Sequence, residues 1–208
     1  AARTLANTEP VRVVHPSLPL RNLRQLIEPA KHKPGELNYG SGGSGTVTHL
    51  AGEFFKIQAG IDVQHIPYKG SAHAMTDLIG GQVHMYLSPP IVVMPHLKSG
   101  RLRALATSGD TRLPALPDLP TAAESGLKRF VVNIWYGLLA PAATPRPVIA
   151  KLNAEVGRIL ALPDIREKLS SQGMAPFTTT ADEFAALIKA DAAKYAEVIR
   201  SASIRLEQ

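Results

Sequence analysis

An α/β fold, with a mostly parallel sheet flanked by helices, is predicted for this chain of 208 residues. Short apolar runs alternate with stretches of helical period from Val11 to Ala106, the pattern of strands joined by crossover helices. Glycine and proline fall mainly at the ends of those runs, as punctuation rather than as low-complexity sequence. The final third breaks the alternation and reads as helices alone.

Val11 to Val14 is the first strand, closed by His15-Pro16. Leu23, Leu26, Ile27 and Ala30 then keep a helical spacing that stops at Lys33-Pro34-Gly35. Leu37 to Tyr39 is a strand feeding a Gly-rich loop, and the next helix carries Val47, Leu50, Ala51, Phe54 and Phe55 before Gly60. Val63 to Ile66 is a strand, Pro67 to Gly70 a loop, and Ser71 an N-cap for a helix through Ile79 that ends at Gly80-Gly81. Val83 to Leu87, a helix near Ile91 to Lys98, and Leu102 to Ala106 complete the alternation. A Pro-rich connector from Leu113 to Pro120 leads to a short predicted helix ending at Gly126. Val131 to Ala140 is long and apolar enough to cross between two lobes. Three helices follow, marked by Val148, Leu152, Val156 and Ile159, then Ile165 and Leu169, then Asp182 to Ile199. Their apolar faces need a partner surface, and the preceding sheet already has helices of its own.

The composition is that of an ordinary globular chain, 45% hydrophobic and 19% charged. No window approaches the roughly 18 apolar residues of a membrane span. No secretory signal pattern is visible from Ala1 to Pro10, which agrees with a mature or truncated chain. The absence of cysteine excludes disulfides, thiolate metal sites and a Cys nucleophile. A net charge of +6 favours anionic partners, yet Lys and Arg are scattered without runs or basic–aromatic repeats, so no nucleic-acid partner is expected.

The chemistry concentrates in Gly40-Ser41-Gly42-Gly43-Ser44-Gly45-Thr46, between a strand and an amphipathic helix. A loop of this kind offers backbone N–H groups at the positive end of a helix, a setting for an anion. Gly40, Gly42 and Gly45 satisfy G-x-G-x-x-G, but the acid expected about 20 residues on, at the end of the next strand, is missing from Ile66-Pro67-Tyr68. Thr46 stands where a P-loop needs Lys, and neither Ser41 nor Ser44 sits in a G-x-S-x-G elbow. A plain flexible turn stays open as the bland alternative. The seven histidines show no metal-ligand spacing, and His49 with Glu53 on one helix face reads as a hydrogen-bonded pair. No catalytic carboxylate pair stands out, so no enzyme activity and no cofactor are expected.

Pro67-Tyr68-Lys69-Gly70-Ser71 is the companion loop, again between a strand and a helix start. Adjacent parallel strands place such loops side by side. A solvated Lys69 and a core-packed Tyr68 remain alternatives there. Two anion-receptive helix starts together suit a dicarboxylate or an amino acid.

The stretch Leu37 to Thr46 with His49-Leu50-Ala51-Gly52-Glu53 closely resembles the periplasmic solute-binding receptors of tripartite tricarboxylate transporters, the Bug receptors. The resemblance continues through Pro67 to Ser71, Asp77 to Val83, Gly100 to Ala106, Leu116 to Thr121, Trp135 to Pro141 and the segment from Leu152 to Ile204. It implies a periplasmic, two-lobed Venus-flytrap receptor that captures a small di- or tricarboxylate or acidic amino acid for membrane permease subunits, without catalysis. Carried over by position, it implies ligand contacts from Ser41, Gly42, Ser44, Gly45, Thr46, Tyr68, Lys69, Gly70 and Ser71. It also implies closure about crossing segments near Val14 and Trp135.

Two departures from the family's pattern carry expectations. Ser88 stands where family members often have Asp, and a hydroxyl cannot hold a ligand ammonium by charge, which favours a carboxylic acid without an amine. The family's first lobe also begins earlier, so roughly 100 residues, one small domain's worth, are expected to be missing. The expected organisation is 1–14 as hinge strand and remnant of the first lobe, 15–130 as the ligand-binding lobe, and 131–208 as crossover strand and helices of the first lobe. With one wall absent, weak or no binding is expected, together with self-association covering exposed C-terminal helices. A ligand-free interaction or sensory module and, further off, an NAD-dependent enzyme are the alternative functions.

Overall fold

The computed structural model describes residues 3–204. The expected segments 1–14 and 131–208 therefore have their outermost residues outside the described part. Strands β1 (Arg3–Thr8) and β2 (Val11–Val14) are separated only by Glu9 and Pro10, yet they lie in different sheets. Pro10 has no N–H to continue a ladder, and the chain changes sheet there.

The larger sheet has the order β4-β3-β5-β2-β6, with β3 Asn38–Ser41, β4 Gln64–Pro67, β5 Met85–Ser88 and β6 Arg103–Thr107. β3 is parallel to both β4 and β5, whereas β2 is antiparallel to β5 and β6 on either side. The sheet is thus mostly parallel, with one strand running against the rest. Helices α1 (Leu23–His32) and α2 (Val47–Ala59) cover one face, where Leu23, Leu26, Ala51 and Phe55 bury against Val14, Leu105 and Phe130. Helices α3 (Ser71–Ile79) and α4 (Pro90–Lys98) cover the other, with Ala74, Leu78 and Val93 against Val11, Val13 and Tyr86. Strands buried on both faces explain the continuous apolar runs of the sequence.

Local signals set most boundaries. Asn22 caps α1 by accepting from the Gln25 N–H at 2.9 Å, and Gly60, at φ 62°, ends α2 in the left-handed region. Two expectations fail locally. The N-cap of α3 is Gly70, at φ 108°, and Ser71 is already its first helical residue. A serine at that φ would be strained, so the glycine takes the turn and the hydroxyl is freed for the loop. The helix predicted to end at Gly126 is a run of turns, in which Thr121 and Glu124 exchange bonds of 2.8 and 3.0 Å without a following helix to cap.

The smaller sheet, β7-β1-β8, pairs β1 antiparallel with β7 (Ile134–Leu138) and β8 (Ala175–Pro176). It carries α5 (Arg146–Leu160), α6 (Pro163–Ser171) and α7 (Ala181–Ser201). The C-terminal helices therefore do have a sheet to pack on. Phe184 of α7 is fully buried, edge-on to Trp135 at 5.2 Å, and fills the space over Gly137. The Arg3 guanidinium reaches α5, bonding Asn153 and lying over Gly157.

The outer side of α5 stays uncovered. Val148, Leu152 and Ile159, followed by Leu162, are all at least 38% exposed and recur at helical spacing. Replacing Leu152 and Ile159 together by Glu is expected to abolish binding of an apolar fluorescent dye and to leave the denaturation midpoint within about 0.5 kcal/mol of the parent, as exposed positions do. A loss of several kcal/mol would mean these side chains are covered.

The chain crosses between the sheets at Glu9–Pro10 and again at Val131–Asn133. Ser108 ties the two crossings. Its N–H donates to the Pro10 carbonyl at 2.9 Å, and its hydroxyl is shared between the Pro10 and Val132 carbonyls at 3.0 and 2.9 Å. The crossings lie before Val11 and before Ile134, not at Val14, which sits at the far end of a central strand. Residues 11–14 accordingly belong with the five-stranded sheet, whose expected start was residue 15.

Candidate functional site

β3, β4 and β5 run in one direction, so the loops leaving Ser41, Pro67 and Ser88 share one edge of the sheet. The register sets Gly40 beside Ile66 and Ser41 beside Pro67. The two loops are then laced together: the Tyr68 N–H donates to the Ser41 carbonyl and the Gly70 N–H to the Gly42 carbonyl, both at 3.1 Å. A Cβ on Gly42 would come within 3.0 Å of Ser71 Oγ, and one on Gly43 within 3.1 Å of the Tyr68 carbonyl. Only residues without a side chain let the loops approach this closely.

The donors are distributed differently from the expectation. The Gly42 N–H is taken by Thr48 Oγ1 at 2.9 Å, the Gly43 N–H by Ser41 Oγ at 3.1 Å, and the Gly45 N–H by His49 Nδ1 at 3.0 Å. Thr46 caps α2, and its hydroxyl donates to the Gly43 carbonyl at 2.7 Å. Gly42, Gly45 and Thr46 therefore shape the cradle instead of presenting those groups outward. Ser41 is fully buried beneath it. Ser44 at the tip and Ser71 at the start of α3 are exposed, and neither side chain has a hydrogen bond among the described residues. The unpaired first-turn N–H groups of α2 and α3 add to them.

Tyr68 is core packing: its ring lies over Gly40 and its hydroxyl donates to Asp77 Oδ2 at 2.7 Å. Burial and that carboxylate push its pKa up to about 12. Lys69 is exposed, and its carbonyl meets His73 Nδ1 at 3.1 Å. Ser88 is buried at the end of β5, paired with Val11 at the crossing. Among the described residues, then, the edge offers hydroxyls, helix-start N–H groups and the exposed cation of Lys69, with Asp77 already engaged. That set suits a small anion. It has no group of three or more His, Cys, Asp or Glu placed to hold a metal, again among the described residues.

Beneath the cradle lies a network that spacing alone did not disclose. His65 on β4 stacks on His49 of α2 with ring centroids 3.8 Å apart and planes within 5°, and on Tyr39 at 4.9 Å. His65 Nε2 is 2.6 Å from Ser41 Oγ. The Tyr39 hydroxyl donates to Glu53 Oε1 at 2.7 Å, and Lys56 Nζ lies 3.1 Å from the same oxygen. Glu53 thus bonds Tyr39 and Lys56 rather than its helix neighbour His49. Burial, then the neighbouring His49 and Lys56, lowers the His65 pKa to about 4. Burial also lowers that of His49, against the pull of Glu53. Both rings are neutral at neutral pH. The spacing of His49 and Glu53 on one helix face was the signal in the sequence, and it pointed to a pair that the fold does not form.

A three-layer α/β lobe whose strand ends face a second small sheet is the fold of periplasmic binding proteins. The chain superposes on an R. palustris protein solved with adipate at a TM-score of 0.90, with 32% identity over 98% of this chain and 68% of that one. It superposes on the periplasmic binding protein BugD at 0.87, with 30% identity over 99% of this chain and 70% of the other. The chain belongs to the tripartite tricarboxylate transporter family receptors, whose profile matches residues 2–204. Among curated relatives, a UPF0065 protein of a Pseudomonas species is 36% identical over 94% of this chain, and the protein BugT of Bordetella pertussis 34% over 95%. The chain spans 59% and 60% of their lengths.

Proposed function

We propose that this chain is an extracytoplasmic solute receptor that binds a small organic carboxylate at the joined loops 41–46 and 68–71 and passes it to the membrane permease of a tripartite transporter, without catalysis. One observation carries the reading: two strand-to-helix loops, hydrogen-bonded to each other, present Ser44, Ser71 and two helix starts at one sheet edge. Family membership supports it, as do related structures solved with adipate and, for MatC of Rhodopseudomonas palustris, with bound malate at 27% identity. A periplasmic setting is part of the proposal and is supported by the same membership. The residues divide as a lobe of 11–130 and a second unit of β1 with 134–204, closing toward each other about Pro10 and Val132. A second copy covering the apolar side of α5 is part of the proposal.

The ligand lacks an ammonium group. Ser88 brings no charge to the edge and the exposed Lys69 brings a positive one, so an ammonium there would meet a like charge, with Asp77 turned to the Tyr68 hydroxyl. Calorimetric titration of the chain with adipate, malate and citrate is expected to give larger responses than aspartate or glutamate. A response to the amino acids with none to the others would overturn the choice of ligand. The titrations are carried to millimolar ligand, because a site with one wall binds weakly, and silence to the whole panel there would remove the carboxylate reading itself.

A further inference from the structure

We propose that His49 and His65 are the positioning pair of the Gly-rich loop, and that the loop keeps its anion-receptive shape only while the His49 imidazole is neutral. The inference rests on reading that loop as the carboxylate site.

The geometry assigns the roles. The Gly45 N–H donates to His49 Nδ1 at 3.0 Å, and a ring nitrogen that accepts must be unprotonated, so His49 carries its proton on Nε2. Gly45 sits at φ 77°, the left-handed region, and its N–H is held there by this ring nitrogen. His65 secures the other end of the loop. Ser41 Oγ accepts from the Gly43 N–H at 3.1 Å and lies 3.2 Å from the Gly43 carbonyl. A proton on His65 Nε2 then fills the remaining position of that hydroxyl at 2.6 Å. The parallel stack at 3.8 Å couples the two anchors, because a charge on either ring falls on the face of the other.

Protonating His49 at Nδ1 replaces an acceptor with a donor that faces the Gly45 N–H. Two donors then oppose each other, and the loop must leave its place. The charged groups around the pair are few. Glu53 and Lys56 face it from α2, Tyr39 from β3, and Arg12 of β2 lies beyond Tyr39. Lys56 also lies 3.9 Å from Asp62. Glu53, bonded by the Tyr39 hydroxyl and by Lys56, favours an imidazolium at His49 by less than burial opposes it. The sign follows. His49 titrates lower in the folded chain than in the unfolded one, so the lock is complete above about 6.5 and is lost as pH falls below that, through the lowered value of the folded ring.

Two substitutions separate the roles. His49→Asn puts a carbonyl oxygen where Nδ1 was and cannot titrate. His49→Phe keeps the stack and removes the acceptor. Long-range nitrogen–proton NMR on the full chain should show wild-type His49 with Nδ1 unprotonated at neutral pH. Exchange of the Gly45 amide, corrected for its intrinsic pH dependence, should quicken about tenfold or more on acidification to about pH 4.5. In His49→Asn it should stay slow and flat with pH. In His49→Phe it should be fast throughout, while the rest of the α2 amides keep their protection. A proton on Nδ1 of wild-type His49, a Gly45 amide indifferent to pH, or an Asn variant that follows the wild-type profile would each overturn the proposal. If His49→Phe does not fold, the wild-type and Asn profiles still decide. Titrations with adipate and malate run beside these separate the two readings: no heat at any pH counts against the carboxylate site, whereas the Gly45 profile tests the histidine lock by itself.

Discussion

Gly52→Ala is expected to destabilise the chain by about 2–4 kcal/mol, although alanine is the better helix former by about 1 kcal/mol. A Cβ at position 52, in the middle of α2, would lie 2.1 Å from Tyr39 Cε2 and 2.5 Å from Cζ. The ring cannot withdraw, since Tyr39 is 2% exposed, tied by its hydroxyl to Glu53 and stacked against His65. Either α2 moves away from the sheet or Tyr39 leaves its place and takes the support of His65 with it. Chemical denaturation gives the loss, and a double-mutant cycle with Tyr39→Leu identifies the cause, because a smaller residue at 39 should return much of it. A Gly52→Ala variant as stable as the parent would show that the helix and strand are not in this contact.

Arg12→Met is expected to act in the opposite direction, raising stability by about 1–2 kcal/mol. Arg12 lies on the central strand at 2% exposure, and its Nε and Nη2 have no hydrogen-bond partner. Its compensation is the Phe55 ring, whose centroid is 4.2 Å from the guanidinium carbon, a contact of about 2 kcal/mol when desolvated. Burial, opposed by Tyr39, brings the pKa from 12.5 down to about 10. That shift corresponds to roughly 3 kcal/mol of burden on the charged form, more than the ring returns. The sign is unambiguous. The folded pKa is the lower one, so the burden is present at every pH below about 10 and eases only as pH rises from there toward 12.5. Methionine fills similar space without the charge. A midpoint about 2–8 °C higher is the expected reading for a chain of this size. A lower midpoint would show that the guanidinium contributes more than the packing of its stem.

The alternation of elements was legible because the inner strands β2 and β5 are buried on both faces and the first three helices end at a glycine or a charged turn. Gly60 and Gly80 mark real helix ends, and the loop read at Pro67 to Gly70 begins one residue later, because Pro67 pairs with Ser41 as the last residue of β4. Of the smaller sheet, β7 lies inside the crossing segment read at Val131 to Ala140, whereas its pairing with β1 and β8 was not legible. β1 reads Arg-Thr-Leu-Ala-Asn-Thr, without apolar alternation, because Arg3 is buried by bonds to Asn153 and Thr4 by bonds to Phe177 and Thr179. Polar residues satisfied by partners 150 or more positions away leave no local trace. The same holds at the site. The Gly-rich loop and its companion could be found by composition and order. Which N–H groups face outward could not, since Thr48, His49 and Ser41 claim them through contacts that only the folded loop creates.

Ser108 gives the molecule a mechanical property. Two chain crossings side by side could slide, splay or twist; in the closure proposed above, the tie through Ser108 resists sliding and splaying and leaves rotation as the easier motion. Under that proposal the motion runs about a line near Pro10 and Val132. Motion about that line leaves the clasp itself almost still and is largest farthest from it. The Ser41–Thr46 cradle is hung on β3, two strands away from β2 in the sheet order, and therefore works on a lever arm. A rotation of a few degrees is read at the joint as nothing and at the cradle as a change in distance to the opposite sheet.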